Sequence, residues 1–239
     1  MKKLSIIFAL FLFTAILMGC ENNDEVATPE TTNNALYDLQ GTIDSFPLED
    51  LSEEEEEGLM IMREEEKLAR DVYIYFYDKY GLRIFNNISQ SEETHTTAIK
   101  TLIEKYGLTD PVVDDTPGVF QNEDLAALYT QLTAAGDASL LEALIVGATI
   151  EDLDIKDLME FDDDVDNQDI HFVYDNLTRG SRNHMRAYYS QVLNNGGTYE
   201  PQYISQELFD SIINSSHEGG GNGHGGNGHG GHGHGGGRG

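Results

Sequence analysis

Apolar side chains in the middle of the chain recur at the three- and four-residue spacing of buried helix faces, and no segment alternates convincingly as a strand would. This spacing predicts four long helices over about 52–80, 85–106, 139–159 and 168–193. Ser52 and Glu55 form a capping-box signature before the first helix, and Gly81 and Gly107 are placed to end the first two. The pattern therefore predicts an all-α fold.

Shorter segments connect and close the long helices. Residues 111–118 are typical of a loop, 122–135 of a connecting helix that ends at Gly136, and 204–213 of a short amphipathic helix. A connection of this length lets the third long helix return beside the first two. We therefore expect a four-helix bundle with a long crossover between helices two and three and a short C-terminal helix.

Each long helix also places ionisable side chains on its apolar inner face. They are Glu66 on the first helix, Glu92 and His95 on the second, Glu151 on the third, and His184 on the fourth. One turn after Glu151, the inward position falls on Asp154 or Ile155, and Asp154 would be the fourth carboxylate. Residues three apart share a helix face, so Glu92 and His95 can bind one metal ion together. Two Fe(II) ions bring four positive charges, which four carboxylates with two neutral imidazoles balance. The set predicts a metal site inside the bundle.

A purely structural interpretation of these residues stays open. Arg63, Arg70, Arg182 and Arg186 lie on neighbouring turns, where they could pair with the inward carboxylates. A single buried Glu or His is satisfied by an ion pair or hydrogen bond more often than by a metal. Under this interpretation the bundle would hold no stoichiometric metal.

Four motifs carry a family resemblance. They are EEEKLARDVY at 64–73, SEETH at 91–95, GATIEDLDI at 147–155 and GSRNHMRAY at 180–188. Together they resemble an uncharacterised ferritin-like family labelled as a domain of unknown function, over residues 50–214. Glu66, Ala69, Arg70 and Tyr73 are also similar to the rubrerythrin pattern Glu-x-x-Ala-Arg-x-x-Tyr. The resemblance implies an up-down-down-up bundle around a dinuclear iron centre, with Mn or Zn as alternatives.

The resemblance also implies a set of metal ligands. They would be Glu66, Glu92, His95, Glu151 and His184. The ferritin-like pattern has a second Glu-x-x-His on the fourth helix, but the position three before His184 is Ser181, and we expect Asp154 to compensate. If Asp154 instead points to solvent, the site could hold a single metal, Zn or nothing.

Such a centre usually meets O2 or peroxide, so the resemblance implies a diiron oxidoreductase of ferroxidase or peroxidase type. Tyr73 and Tyr188 lie one or two turns from Glu66 and His184 and are candidates for donating a hydrogen bond or an electron, although buried tyrosines are more often core residues. The chain has no Cys-x-x-Cys pair to hold a rubredoxin-type iron, so turnover would need an external reductant.

The two ends of the chain have compositions that cannot build a core. Residues 1–19 combine Lys2 and Lys3 with a short apolar run, as a signal peptide does, and the sequence LMGC resembles the lipobox of bacterial lipoproteins. We therefore expect a lipid on Cys20, attachment to a membrane of the cell envelope, and a polar, acidic tether over 20–50. An anchored chain with such a tether can still form a homodimer.

Residues 215–239 are a tail rich in glycine and histidine. His224, His229, His232 and His234 are separated mainly by glycines, a composition that can bind Ni, Zn or Cu. A second hypothesis follows, in which the protein is a non-enzymatic metal-binding lipoprotein and the bundle is a scaffold.

Charge and cysteine content limit the alternatives. The chain has 14 Lys and Arg against 43 Asp and Glu, a formal net charge of −29, so no nucleic-acid partner is expected. A single cysteine excludes disulfides within the chain.

Overall fold

The computed structural model describes residues 39–219, and this part of the chain is helical without strands. Its helices are α1 over 39–45, α2 (Glu53–Tyr80), α3 (Arg83–Lys105), α4 (Glu123–Gly136), α5 (Leu140–Asp162), α6 (Gln168–Asn194) and α7 (Gln206–Ile213). The predicted all-α class is confirmed. The four long helices, α2, α3, α5 and α6, begin and end within three residues of the predicted positions.

Local signals set the bounds of α2. The side chain of Ser52 accepts a hydrogen bond from the Glu55 amide, and the Glu55 carboxylate accepts one from the Ser52 amide at 2.9 Å. Gly81 ends the helix in the left-handed region with φ of 66°, which glycine adopts without steric cost. The capping-box prediction is confirmed.

The four long helices pack around a common interior. Helix α2 packs on α3 and α5, α6 packs on the same two helices, and α4 covers α2 and α5. Gly58 near the start of α2 faces Phe161 near the end of α5, so these helices are antiparallel. Tyr106 just after α3 donates to Asp169 at the start of α6 over 2.8 Å, so this pair is antiparallel too. Helices α3 and α5 therefore run in one direction, with α2 and α6 opposed to them.

Two apolar clusters fill this interior at different levels. One contains Leu59, Met62, Ile99, Leu102, Leu158 and Val173. The other contains Val72, Phe76, Phe85, Leu144, Tyr188 and Val192. The level between them holds the buried ionisable side chains of the predicted site, which apolar packing therefore shields from both ends.

Both ends of the described range contact the long helices. Ile43 of α1 is fully buried, and Lys105 donates to its carbonyl at 2.9 Å, so this part of the segment predicted as a tether is folded onto the protein. Glu218 pairs with Arg182 and Arg186 of α6. The predicted signal peptide, Cys20 and the tail residues His224, His229, His232 and His234 lie outside the described residues. Within residues 39–219, no helix is both long enough and apolar enough to cross a membrane.

Candidate metal centre

The predicted ligands are buried side chains from four helices. Their exposed fractions run from 1% at Glu66 to 9% at His184. They come from the middle of α2, α3, α5 and α6, where helix ends and loops are far away. Burying this many carboxyl and imidazole groups is costly unless charge and hydrogen bonds are balanced inside. The arrangement of the individual atoms shows how that balance is reached.

The first group of ligand atoms joins α2 and α3. Glu66, Glu92 and His95 each offer one atom, and these atoms lie within 4.8 Å of one another. His95 Nδ1 is 2.7 Å from Glu92 Oε2 and 3.2 Å from Glu66 Oε2. The i, i+3 spacing of Glu92 and His95 thus directs both side chains at one point, as expected.

The second group joins α3, α5 and α6. Glu92, Glu151 and His184 also offer atoms within 4.8 Å of one another. His184 Nδ1 is 2.9 Å from Glu92 Oε1 and 3.3 Å from Glu151 Oε2. Glu92 is therefore shared, because Oε2 belongs to the first group and Oε1 to the second. The two imidazole rings stack beside it with centroids 5.5 Å apart.

The donor set fits metal ions. Three buried atoms of the site make no hydrogen bond: Glu66 Oε1, Glu92 Oε1 and His184 Nδ1. The last two lie 2.9 Å apart but are not aligned for a hydrogen bond. Two ligand atoms bound at about 2.1 Å to one ion at a right angle stand about 3 Å apart. Mixed carboxylate and imidazole donors suit Fe, Mn or Zn.

Burial and neighbouring charges shift the pKa values of the side chains in the site. Burial raises the pKa of Glu66 to about 7 although His95 opposes the shift. Burial would also raise the pKa of Glu92, but the charges of His184 and His95 outweigh it and lower that pKa. Burial disfavours the charged form of His184, yet Glu92 and Glu151 raise its pKa to about 10. Protons on the imidazoles thus offset the negative charge of the carboxylates. A metal ion must displace these protons when it binds.

Asp154 is buried at the same level but lies outside both groups. Its Oδ2 accepts a hydrogen bond from Ser181, and its Oδ1 has no partner. Burial, followed by the charges of Glu66 and Glu151, raises its pKa well above the ordinary value. Asp154 therefore points inward, towards Ser181 of α6.

The two predicted tyrosines lie beside the second group. Tyr73 donates to Glu151 Oε1, whereas the hydroxyl of Tyr188 is buried without a partner. Their ring centroids are 5.2 Å apart. Burial first, and the charge of Glu151 second, raise the pKa of both tyrosines well above the ordinary value. Both are neutral, and Tyr73 orients Glu151.

Two glycines and a serine, which the sequence analysis placed in motifs but not among the site residues, also shape the site. A Cβ at Gly180 would lie 2.6 Å from His95 Nε2, and one at Gly147 would lie 2.4 Å from the Tyr188 ring. Ser91 Oγ lies 3.0 Å from His184 Nε2 and fixes that ring. Glycine inside a helix costs about 1 kcal/mol relative to alanine. Glycines in the middle of predicted helices were the signal that could have revealed these contacts.

The arginines proposed as partners for the site carboxylates pair elsewhere. Arg63 binds Asp110, and Arg70 binds Asp71, Glu93 and Asp115. Arg182 and Arg186 both bind Glu218. None of the four contacts the described metal-ligand groups through an ion pair, so the inward carboxylates are balanced only by His95 and His184 there.

A third set of potential ligands lies at the surface. Asp162 Oδ1 is 2.7 Å from His171 Nδ1, and Asp175 lies 3.9 Å from the other ring nitrogen. His171 and Asp175 are mostly exposed, with 56% and 71% of their side chains accessible. The hydrogen bond between Asp162 and His171 is sufficient to explain why these side chains lie together.

Comparison with known proteins gives the family. A family described as "Uncharacterized protein domain (DUF2202)" matches residues 55–216. The chain belongs to this family. The uncharacterized protein MJ0754 of Methanocaldococcus jannaschii is 56% identical over 180 residues, which are 75% of this chain and 97% of that protein. The crystal structure of hypothetical protein MJ0754 from Methanococcus jannaschii DSM 2661 matches with a TM-score of 0.72 and 56% identity, covering 73% of this chain and 99% of the other.

These matches confirm the predicted membership of a domain family of unknown function. The relative is archaeal, whereas the sequence analysis compared the N-terminal segment with bacterial lipoproteins. Neither the family description nor the relative's name specifies a metal, a reaction or a ferritin-like fold. Function therefore has to be argued from the site.

Proposed function

We propose that the protein is an envelope-anchored, ferritin-like protein whose four long helices hold a carboxylate-bridged dinuclear metal centre, with iron as the favoured metal. The observation that carries the proposal is the position of Glu92. One of its oxygens faces Glu66 and His95, and the other faces Glu151 and His184. A carboxylate shared between two groups of three ligands can hold two adjacent ions.

The helix directions support the ferritin-like part of the proposal. Helices α3 and α5 run in the same direction, opposite to α2 and α6. Residues 106–139 form the long connection between the pair α2 and α3 and the pair α5 and α6. This is the order that the sequence resemblance implies. Each pair of helices contributes one imidazole and at least one carboxylate, so the site needs both halves of the bundle.

We propose that the activity is ferroxidase-like or consumes peroxide or O2, with an external reductant. Bound iron would supply reversible one-electron chemistry and open positions for the oxidant. In this account Glu92 would contribute to both ions, Glu66 and Glu151 would each contribute to one, and His95 and His184 would supply nitrogen ligands. Tyr73 keeps Glu151 oriented through its hydrogen bond. The two apolar clusters exclude water from the site.

A second candidate function rests on the tail. Four histidines fall within residues 224–234, and this spacing favours capture of Ni, Zn or Cu whatever the bundle does. Under this alternative the protein is a metal-binding lipoprotein and not an enzyme. Replacing the four tail histidines by asparagine would abolish metal capture, while the first proposal predicts that redox activity survives.

The decisive variant for the bundle is Glu92→Gln, made in the protein with the four tail histidines replaced. We expect about two bound metal ions per chain before the change and none after it, because glutamine keeps a single uncharged oxygen and cannot serve both groups. Glu93→Gln is the matched control, since Glu93 is the next residue but lies 53% exposed beside Arg70. Equal metal content in the Glu92 and Glu93 variants, measured by elemental analysis, would contradict the proposal.

A further inference from the structure

A second group of buried carboxylates lies beside the candidate centre. Glu65 of α2 is 4% exposed, and neither of its carboxylate oxygens has a hydrogen-bond partner. Asp157 of α5 is 3% exposed, and its Oδ2 also lacks one. The two carboxyl groups lie within hydrogen-bonding reach of each other. Ionised carboxylates only accept hydrogen bonds, so a proton or a cation must lie between them.

A small cavity lies between Glu65 of this pair and Asp154, which is close enough to the ligand groups for the charges of Glu66 and Glu151 to act on it. Glu65 and Asp154 both line a space of about 10 Å³ between α2, α4 and α5, whose other walls are mostly apolar. That volume holds about one water molecule or one small ion. The unpartnered Oδ1 of Asp154 belongs to the same residue that receives the Ser181 hydrogen bond at the level of the centre.

The other end of this group reaches the surface. Lys156 Nζ lies 2.7 Å from Asp157 Oδ1 and 2.8 Å from Glu160 Oε2, and the Lys156 side chain is 31% exposed. The Lys156 ammonium thus neutralises Asp157 next to the surface. From Asp157 inward to Asp154, the described ion pairs include no positively charged partner for Glu65 or Asp154.

We propose that Asp157, Glu65 and Asp154 form a carboxylate route along which divalent metal ions pass from the surface to the centre. This inference rests on the proposed function, since it needs a metal centre at the end of the route. Carboxylate oxygens without partners replace part of the hydration shell of a divalent ion. A narrow acidic passage with apolar walls also concentrates cations and accelerates their binding.

The test is the rate at which the full chain takes up Co(II), followed by stopped-flow visible absorbance. The tail histidines are replaced by asparagine in all variants, so that only the folded part reports. We expect the Glu65→Gln and Asp157→Asn variants to bind Co(II) at least about ten-fold more slowly than the protein with both carboxylates intact. The final absorbance should be the same. Glutamine and asparagine keep the shape of the side chains, and thermal melting checks that both variants fold.

Glu160→Gln is the matched control, because it removes one negative charge at the surface near Asp157 while leaving the buried carboxylates intact. It should bind Co(II) at the unchanged rate. Uptake at the unchanged rate in Glu65→Gln would overturn the route, as would a loss of final absorbance that shows Glu65 to be needed for the centre itself. If the protein with the intact route gives no Co(II) absorbance at all, the proposed function fails and the route fails with it.

Discussion

Helix α2 carries two buried charge clusters that differ in how their charges are balanced. On the side facing the crossover, Asp71 receives Lys67 at 2.5 Å, Arg70 at 2.9 Å and the Gly118 amide at 3.0 Å. On the side facing the interior, Glu66 faces His95 and other carboxylates, and one of its oxygens has no partner. Both clusters are buried, but only the second leaves oxygens and a ring nitrogen without hydrogen bonds.

The difference separates a structural role from a binding role. In the crossover cluster Lys67, Arg70 and Asp71 each have a partner of opposite sign, and the Glu64 carboxylate accepts the amides of Gln121 and Asn122. Those bonds fix residues 106–122 against α2. The interior cluster has more carboxylates than cationic partners, which is destabilising unless a cation is added. Substitutions in the two clusters should therefore affect different properties.

Among the substitutions, the largest loss of stability is expected for Asp71→Asn. Lys67 is fully buried, and removing its carboxylate partner leaves an uncompensated charge, which costs about 3–5 kcal/mol. Urea unfolding measures the change, and the metal content of the folded protein should not alter. Asp115→Asn is the control, because Asp115 also binds Arg70 but is 61% exposed, so its loss should cost under about 1 kcal/mol. Similar costs for both variants would show that the crossover cluster is not the structural one.

Removing the metal should lower stability through the interior cluster and leave the crossover cluster unaffected. A chelator is expected to lower the unfolding free energy by about 3 kcal/mol for each site that had free metal at 100 times its dissociation constant. The Glu92→Gln variant should show no such loss, since it has no shared ligand. Thermal melting with and without chelator measures both. A chelator effect of the same size in Glu92→Gln would place the metal elsewhere, for example at Asp162 and His171.

A smaller effect is expected for Gly180→Ala. The added Cβ would displace the His95 ring, so metal content should fall by about half, to one ion per chain. The metal-free protein should not lose much stability, because alanine favours the helix by about 1 kcal/mol. Gly41→Ala is the control, since a Cβ there meets no atom within 4 Å. Full metal content in the Gly180 variant would contradict the assigned position of His95.

The smallest effect is expected for Tyr73→Phe. Loss of its hydrogen bond to Glu151 should cost about 1 kcal/mol, the usual net value for one buried bond. Tyr188→Phe is the matched control, because its hydroxyl has no partner and its loss should cost nothing or stabilise the protein. Urea unfolding of the two variants makes the comparison. A larger loss in Tyr188→Phe would reverse the roles given to the two rings.

Much of the fold follows from periodicity because the long helices bury regular apolar stripes. The inward Glu66, Glu92, His95, Glu151 and His184 could be found because each interrupts such a stripe. The burial of Glu65 could not be predicted, because the sequence pattern gave α2 a single inner face. In the structure α2 is surrounded on several sides, by α3, α4, α5 and the crossover. The Ser181 bond to Asp154 also depends on the distance between α5 and α6, which no spacing within one helix specifies.

The central claim is tested most directly by iron content and near-ultraviolet absorbance. The full chain with its four tail histidines replaced by asparagine would be isolated with iron in the absence of oxygen and then exposed to air. We predict about two irons per chain and a new charge-transfer band after exposure. No bound iron, or one weakly held zinc with no spectral change, would contradict a dinuclear redox centre and leave the interior carboxylates with a structural role only.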